Sequence, residues 1–272
     1  MPSYEHILLE KDADNYIARL TLNRPEKRNA LNDQTMDELG DALEDVESDD
    51  SVRVLIITGA GRSFCAGGDL EALPGGSEPG AWASQNVDDI RRSFQRVQRF
   101  MLCLQRMEKP VIAMINGSAV GAGFDIACAC DIRIGTPQAR FMVAYVRIGL
   151  FPGFGGTWLY PRMLGSIGKA AEMLFTGDFL EAEEAYRLGF LNKLVPEEDL
   201  ESATSETAKK IAAGPPIAIR LSKLMLYKGL EFDLDTAMRM AAAAETITLT
   251  SKDHLEGTSA IRESRKPVYR GG

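Results

Sequence analysis

Apolar residues recur along this chain with two different periods. Tyr16, Ala18, Leu20 and Leu22 alternate with Asn15, Arg19, Thr21 and Asn23, and a period of two predicts a half-buried strand. Asn32 then offers an N-cap, and Met36, Leu39, Leu43 and Val46 follow at helical spacing. VRVLIITG (Val52 to Gly59) is a short apolar run, rich in β-branched residues and ended by glycine, which predicts a buried strand. Val87, Ile90, Phe94, Val97, Met101, Leu104 and Met107 mark one face of a long helix. PVIAMING (Pro110 to Gly117) reads as a second buried strand. GAGFDIACACD (Gly121 to Asp131) reads as a glycine turn opening a small-residue helix, and IRIG (Ile132 to Gly135) as a further strand.

Beyond Gly168 the pattern is mainly helical, with breaks at Thr176 to Asp178, at Gly189 and at Gly214 to Pro216. Glu197 to Ile261 carries amphipathic helices without a clear strand. The order is strand-and-helix units followed by a helical tail. No repeat of fixed period interrupts it. Between the second strand and the long helix lies GAGRSFCAGGDLEALPGGSEPG (Gly59 to Gly80), dense in Gly and Pro. Its second half, Pro74 to Gly80, is expected to be a mobile surface excursion.

Composition narrows the function classes. The 272 residues are 45% hydrophobic and 26% charged, enough for one large domain with a sizeable core. No run approaches the length of a membrane span, and the acidic start MPSYEHILLEKD does not resemble a targeting peptide. A net charge of −8 argues against nucleic-acid or anionic-membrane partners. Cys65, Cys103, Cys128 and Cys130 form no CxxC pair, and His6 and His254 stand near opposite ends, so no zinc ligand set is evident. Free thiols in a reducing cytoplasm are expected.

Two glycine-bearing turns stand out: Cys65-Ala66-Gly67-Gly68-Asp69 and Gly121-Ala122-Gly123-Phe124-Asp125. Neither completes the phosphate-cradling GxxxxGK[ST] string or the dinucleotide GxGxxG, and Ser118 lies outside a GxSxG elbow. What remains is backbone chemistry. A strand-to-helix turn of small residues leaves free N–H groups where the helix dipole favours negative charge. Two such turns meeting at one point would make an oxyanion hole, whereas each alone closes a turn or lets backbones pack.

Taken together, these segments resemble the crotonase (enoyl-CoA hydratase/isomerase) family over nearly the whole chain. The matching blocks are Leu22 to Leu31, Gly59 to Leu70, Lys109 to Gly135, Ile148 to Gly165, Phe175 to Pro196 and Arg262 to Gly271. The resemblance implies an α/β spiral of repeated ββα units over residues 1–196, and a C-terminal helical region, 197–272, that packs subunits into homotrimers or hexamers. It implies an acyl-CoA thioester substrate, with coenzyme A entering as part of the substrate and no other cofactor or metal. By motif position, the N–H groups of Ala66 and Ala122, the latter set by Gly121, would hold the thioester oxygen. Ala66, Gly67, Gly68, Asp69 and Leu70 would lie along the adenine and pantetheine. Lys27, Arg28 and Lys266 are candidates for the CoA phosphates, or solvated surface charges.

The chain departs from the family pattern at the acid/base pair. Family hydratases set two glutamates around a water; here those positions are Asp125 and Tyr145. Aspartate keeps a carboxylate with a reach shorter by roughly one ångström. Tyrosine, with a reference pKa of about 10, donates a hydrogen bond but is a poor base at neutral pH. Asp125 is read either as the acid/base or as a helix-start cap, and Tyr145 as catalytic or as a pocket aromatic. Asp69 has the position of a structural residue, and Glu71 could supply a replacement acid. Phe154 and Trp158 fill an apolar acyl pocket or the core, and the histidines carry no catalytic role. The resemblance implies an enoyl-CoA hydratase/isomerase, with hydration of a 2-enoyl-CoA, the family's commonest activity, as the leading expectation. The alternatives are double-bond isomerisation, hydrolysis, decarboxylation, or acyl-CoA binding without turnover.

Overall fold

A computed structural model describes residues 4–71 and 87–272, with 89, 90, 93 and 96 as helical backbone only. The segment Pro74 to Gly80 and the side chain of Ile90 lie outside the described residues. The chain opens with a hairpin, β1 (Ile7–Asp12) against β2 (Ile17–Leu22), followed by α1 (Asp33–Ser48). Asn32 caps α1 by accepting from the Thr35 N–H, and Met36, Leu39, Leu43 and Val46 are buried as their spacing predicts. Tyr16 does not belong to the strand. It sits in the hairpin turn at φ 57°; the strand starts at Ile17, and the alternating buried face is Ala18, Leu20 and Leu22.

Three successive units then follow one plan: a strand for a large sheet, a short strand for a small sheet, and helix. They are β3 (Val54–Gly59), β4 (Ser63–Cys65) and α2 (Val87–Arg106); β5 (Val111–Ile115), β6 (Ser118–Val120) and α3 (Ala122–Ala129); and β7 (Ile132–Gly135), β8 (Arg140–Met142), α4 (Gly156–Met163) and α5 (Ile167–Thr176). β9 (Phe179–Glu181), α6 (Ala182–Arg187) and β10 (Lys193–Leu194) complete the winding. Among the described residues the large sheet runs β1-β2-β3-β5-β7-β10 and the small one β4-β6-β8-β9. β3, β5 and β7 are parallel, as crossover connections through helices require.

The apolar runs in these strands are continuous because both faces of the large sheet are covered. Leu55, Ile57, Val111, Ala113 and Ile115 face a core shared with α1, α2 and α3. Val54, Ile56, Ile112, Met114 and Ile134 face the other way, against Leu200, Ala208 and Ala212 of α7 (Leu200–Ala212). α7 thus closes the second face of the sheet. α8 (Pro216–Lys228), α9 (Leu234–Leu249) and α10 (Lys252–Arg262) follow, and α9 buries none of its residues. Short strands are where sequence pattern fails: β4 lies inside the stretch expected to be loop, and β6, β8 and β9 are each three residues long. A three-residue strand is set by its partners, not by its own period.

Candidate active site

The small sheet brings the two glycine turns together. β4 pairs in parallel with β6, Cys65 opposite Ala119, so the residues after each strand emerge side by side. The contact is of backbone on backbone. A Cβ on Gly67 would lie 2.7 Å from the Val120 carbonyl and 3.4 Å from the Ala122 nitrogen, and Gly67 holds φ +89°. A Cβ on Gly123 would lie 2.4 Å from the Cys65 carbonyl. Only glycine allows this approach.

The two turns differ in how their donors are used. Ala122 is the first residue of α3, after Gly121 at φ 52° and ψ −120°. The first bond of that helix is made by the Asp125 N–H to the Gly121 carbonyl at 3.0 Å, so the N–H groups of Ala122, Gly123 and Phe124 precede the intrahelical ladder. The first turn, contrary to expectation, opens no helix among the residues described up to Glu71. It runs as a bridge beside Leu31: the Leu31 N–H donates to the Gly67 carbonyl and the Asp69 N–H to the Leu31 carbonyl, both at 2.8 Å. The Ala66 N–H donates to the Arg28 carbonyl at 3.0 Å. Arg28 and Asn29 take left-handed conformations there, and the buried Asn29 amide fastens the segment to the carbonyls of Ala60 and Ser63.

Asp125 sits three residues beyond Ala122, about 4.5 Å along the helix, and helix geometry tilts its side chain back toward that turn. It is fully buried. Tyr145 donates its O–H to Oδ2 at 2.5 Å and Tyr160 donates to Oδ1 at 2.5 Å. Burial pushes the Asp125 carboxyl up to about 7, against the pull of the two phenol hydrogen bonds. Burial and the neighbouring carboxylate hold both phenols far above the ordinary tyrosine value, so they act as donors. No other carboxylate among the described residues contributes to the Asp125 shift. A buried carboxyl that titrates near neutrality, beside a helix N-terminus with free donors, is suited to moving a proton as an oxyanion forms.

Tyr160 is the site residue that the sequence reading misses. It lies on α4, facing inward beside Gly156 and Leu159. The available signal is Gly156, four residues earlier on the same helix face: a Cβ there would fall 2.5 Å from the Tyr160 hydroxyl. Arg24, likewise unforeseen, is the ion-pair partner of Asp69, with Nη2 to Oδ2 at 3.0 Å. Burial opposes ionisation of Asp69, but the hydrogen bonds from Arg24 and the Glu71 N–H, with the charges of Arg24 and Lys27, together outweigh it and hold the carboxyl below its ordinary value.

The remaining candidates scatter. Leu70 is exposed beside the first turn. Lys27 pairs with Glu71 at 2.8 Å on the surface, which occupies both the phosphate candidate and the replacement acid. Lys266 lies in the C-terminal tail, which Asp253 fastens by accepting from the Arg270 and Gly271 N–H groups. That tail reaches Arg53, at the start of β3, through the Tyr269 carbonyl. Among the described residues no hydrogen bond or ion pair joins Lys266 to either glycine turn; its carbonyl accepts from Arg265. Phe154 and Trp158 line a cavity of about 650 Å³ between α2, α4 and α8, whose lining includes none of Ala66, Ala122, Asp125 or Tyr145. His6 supports the start of α1 through Asn32 and Thr35. No cluster of three or more metal-ligating side chains occurs among the described residues, and no described helix is long and apolar enough to cross a membrane.

Comparison with known proteins gives a concordant result. The sequence model of the enoyl-CoA hydratase/isomerase family matches residues 12–272. The chain is 39% identical to crotonyl-CoA hydratase of Syntrophomonas wolfei, over 98% of each protein. It is 35% identical to 1,2-epoxyphenylacetyl-CoA isomerase of Escherichia coli, over 94% of this chain and 95% of that protein. The crystal structure of enoyl-CoA hydratase from Bacillus anthracis superposes with a TM-score of 0.90 at 34% identity, covering 98% of this chain and all of that one.

Proposed function

The chain belongs to the enoyl-CoA hydratase/isomerase family and has the crotonase fold, and from that premise we propose that Asp125 alone serves as acid and base on the enolate of an enoyl-CoA thioester. The reaction best suited to a single shuttle carboxyl is a 1,3-shift of the double bond. The observation that carries this reading is the buried Asp125, held by Tyr145 and Tyr160 with no second carboxylate acting on it among the described residues.

In this reading the thioester oxygen lies against the Ala122 N–H and the Ala66 N–H, the latter shared with the Arg28 carbonyl. The Asp125 carboxylate removes the α-proton of a 3-enoyl thioester. The electron pair moves into the thioester carbonyl, and the dienolate oxygen is stabilised by the two donors; loss of one such donor costs about 3 kcal/mol in comparable sites. Asp125, now protonated, returns the proton to the γ-carbon and leaves a conjugated 2-enoyl thioester. Hydration is a second reading, favoured by the hydratases among the relatives, with the Tyr145 hydroxyl holding the water beside Asp125.

The CoA moiety is proposed to lie along Ala66 to Leu70, with its phosphates near Lys27 and Arg28, and no cofactor besides it is invoked. Lys266 reaches a phosphate only from another copy of the chain. The homotrimer or hexamer is supported by α9, which exposes Leu234, Met238, Ile247 and Leu249. A cytoplasmic location fits the four free cysteines.

The experiment offers a 3-enoyl-CoA and a 2-enoyl-CoA in turn and follows the conjugated thioester absorbance, with Asp125→Asn in parallel. A rise with the first substrate, reduced ~10²–10⁴-fold in Asp125→Asn, is the expected result. A fall with the second alone would move the assignment to hydration. Full turnover in Asp125→Asn would overturn both, and tight CoA-thioester binding without turnover on any substrate would make the chain a binding protein.

A further inference from the structure

The two phenols that hold Asp125 are not equivalent. Tyr145 belongs to the short 3-10 segment Ala144–Ile148, is partly accessible, and has exposed neighbours in Val146, Arg147 and Ile148. Tyr160 is fully buried. Its ring stacks on Phe124 with centroids 5.0 Å apart and planes at 23°, and Phe124 is packed in turn by Phe141 and Phe190. The glycine at 156 leaves the only space the ring can take on that side, since a Cβ there would come within 2.4 Å of it. Among the described residues the Tyr160 hydroxyl has one hydrogen-bond acceptor, Oδ1 of Asp125 at 2.5 Å.

We propose that Tyr160 is a positioning residue that fixes the Asp125 rotamer and reserves Oδ1, so that protons enter and leave the carboxyl only through Oδ2, on the Tyr145 side. The inference rests on Asp125 being the acid/base of the proposed reaction. The chemistry follows from hydrogen-bond capacity. A carboxylate accepts at both oxygens, whereas a neutral carboxyl carries a proton on one. The Tyr160 hydrogen stays on Oδ1 in both states, so the catalytic proton must sit on Oδ2. The Tyr145 hydroxyl, on a residue that keeps partial exposure, then turns to accept it or gives way to substrate. The other titratable groups facing the carboxyl among the described residues are Cys65 from β4 and Cys128 from α3. Burial raises both thiols, and both phenols are raised as well, so none of them loses a proton near neutrality.

The test is Tyr160→Phe, which keeps the ring and its stack and deletes one oxygen. Carbon-13 NMR of the aspartate carboxyls follows Asp125, whose resonance is identified by its absence in Asp125→Asn. Losing a hydrogen bond to the charged form while burial persists moves the Asp125 midpoint up by about one pH unit. The acidic limb of kcat moves up with it, and KM stays within about twofold because no substrate contact is lost. Incorporating 3-fluorotyrosine at 160, a stronger donor of nearly the same shape, moves both down. That second probe keeps the test decisive should Tyr160→Phe fold poorly. An unchanged Asp125 midpoint in these proteins overturns the proposal, whatever happens to the rate. A moved midpoint with an unmoved kcat limb shows that Tyr160 holds a carboxyl that transfers no proton, which overturns the acid/base reading of Asp125 instead.

Discussion

Ala66-Gly67-Gly68-Asp69 and Ala122-Gly123-Phe124-Asp125 share a spacing, lie back to back, and end in aspartates with opposite electrostatics. Asp69 is buried beside Arg24 and accepts the Glu71 N–H, so its charged form is favoured. Asp125 is buried beside two phenols and the Phe124 cluster, with no cation among the influences on it, so its neutral form persists up to about neutral pH. The residue between glycine and aspartate marks the difference. Gly68 lets the first turn run against Leu31 as a bridge, whereas Phe124 lies in the first turn of the helix that starts at Ala122 and brings an aromatic wall with it. One carboxylate is spent on holding a turn, and the other is left able to exchange a proton. Placement beside a cation or a ring, not residue type, separates a structural aspartate from a chemical one.

The strongest way to break the comparison is to separate the turns. Gly67→Ala places a methyl 2.7 Å from the Val120 carbonyl at a left-handed φ, and is expected to cost about 3 kcal/mol and most turnover, read by thermal melts and the enoyl-CoA assay. Next is the pH dependence of stability, which should carry opposite signs at the two aspartates. The folded chain holds a proton on Asp125 that the unfolded chain releases near pH 4, so that contribution is complete below pH 4 and lost as pH rises to about 7. Asp125→Asn should remove that loss, on the order of 4 kcal/mol, and flatten the decline in Tm between pH 5 and 7.5. At Asp69 the folded state binds fewer protons than the unfolded one. Its contribution is present above the ordinary carboxylate range and lost as pH falls through the depressed folded value. Asp69→Asn should cost about 2 kcal/mol at neutral pH by stranding Arg24, and less in acid. The smallest effect is at the rim: Lys27→Ala breaks only an exposed pair with Glu71, so Tm should hold while KM for a CoA thioester rises a few-fold. A Tm that falls with an unchanged KM would remove Lys27 from the phosphate site.

Much of the architecture was legible in the chain because its signals are local. Asn32 caps α1, the runs around Val54 and Val111 have the composition of strands covered on both faces, and Gly121 precedes a helix start. The glycine turns could be read as close-packing points because only glycine tolerates the approach, whereas Ala122 was singled out as a donor position by the resemblance to the crotonase family. Tyr16 was misplaced because a hairpin turn with a left-handed residue can continue an alternating pattern by coincidence. β4, β6, β8 and β9 were missed because three residues carry no period.

What the sequence by itself determined is the order of units, the two turns, and a carboxylate at 125 with a phenol at 145. Tertiary structure alone decided how those groups behave. It set the Ala66 N–H against the Arg28 carbonyl, paired Asp69 with Arg24 from another segment, and carried Tyr160 across thirty-five positions to Oδ1 of Asp125. It also gathered Phe154 and Trp158 around a cavity whose lining includes none of Ala66, Ala122, Asp125 or Tyr145. The physical reason is range. Caps, turns and periodicity depend on neighbours a few residues away, whereas desolvation and hydrogen-bond partners depend on whatever the packed fold brings within about 3 Å.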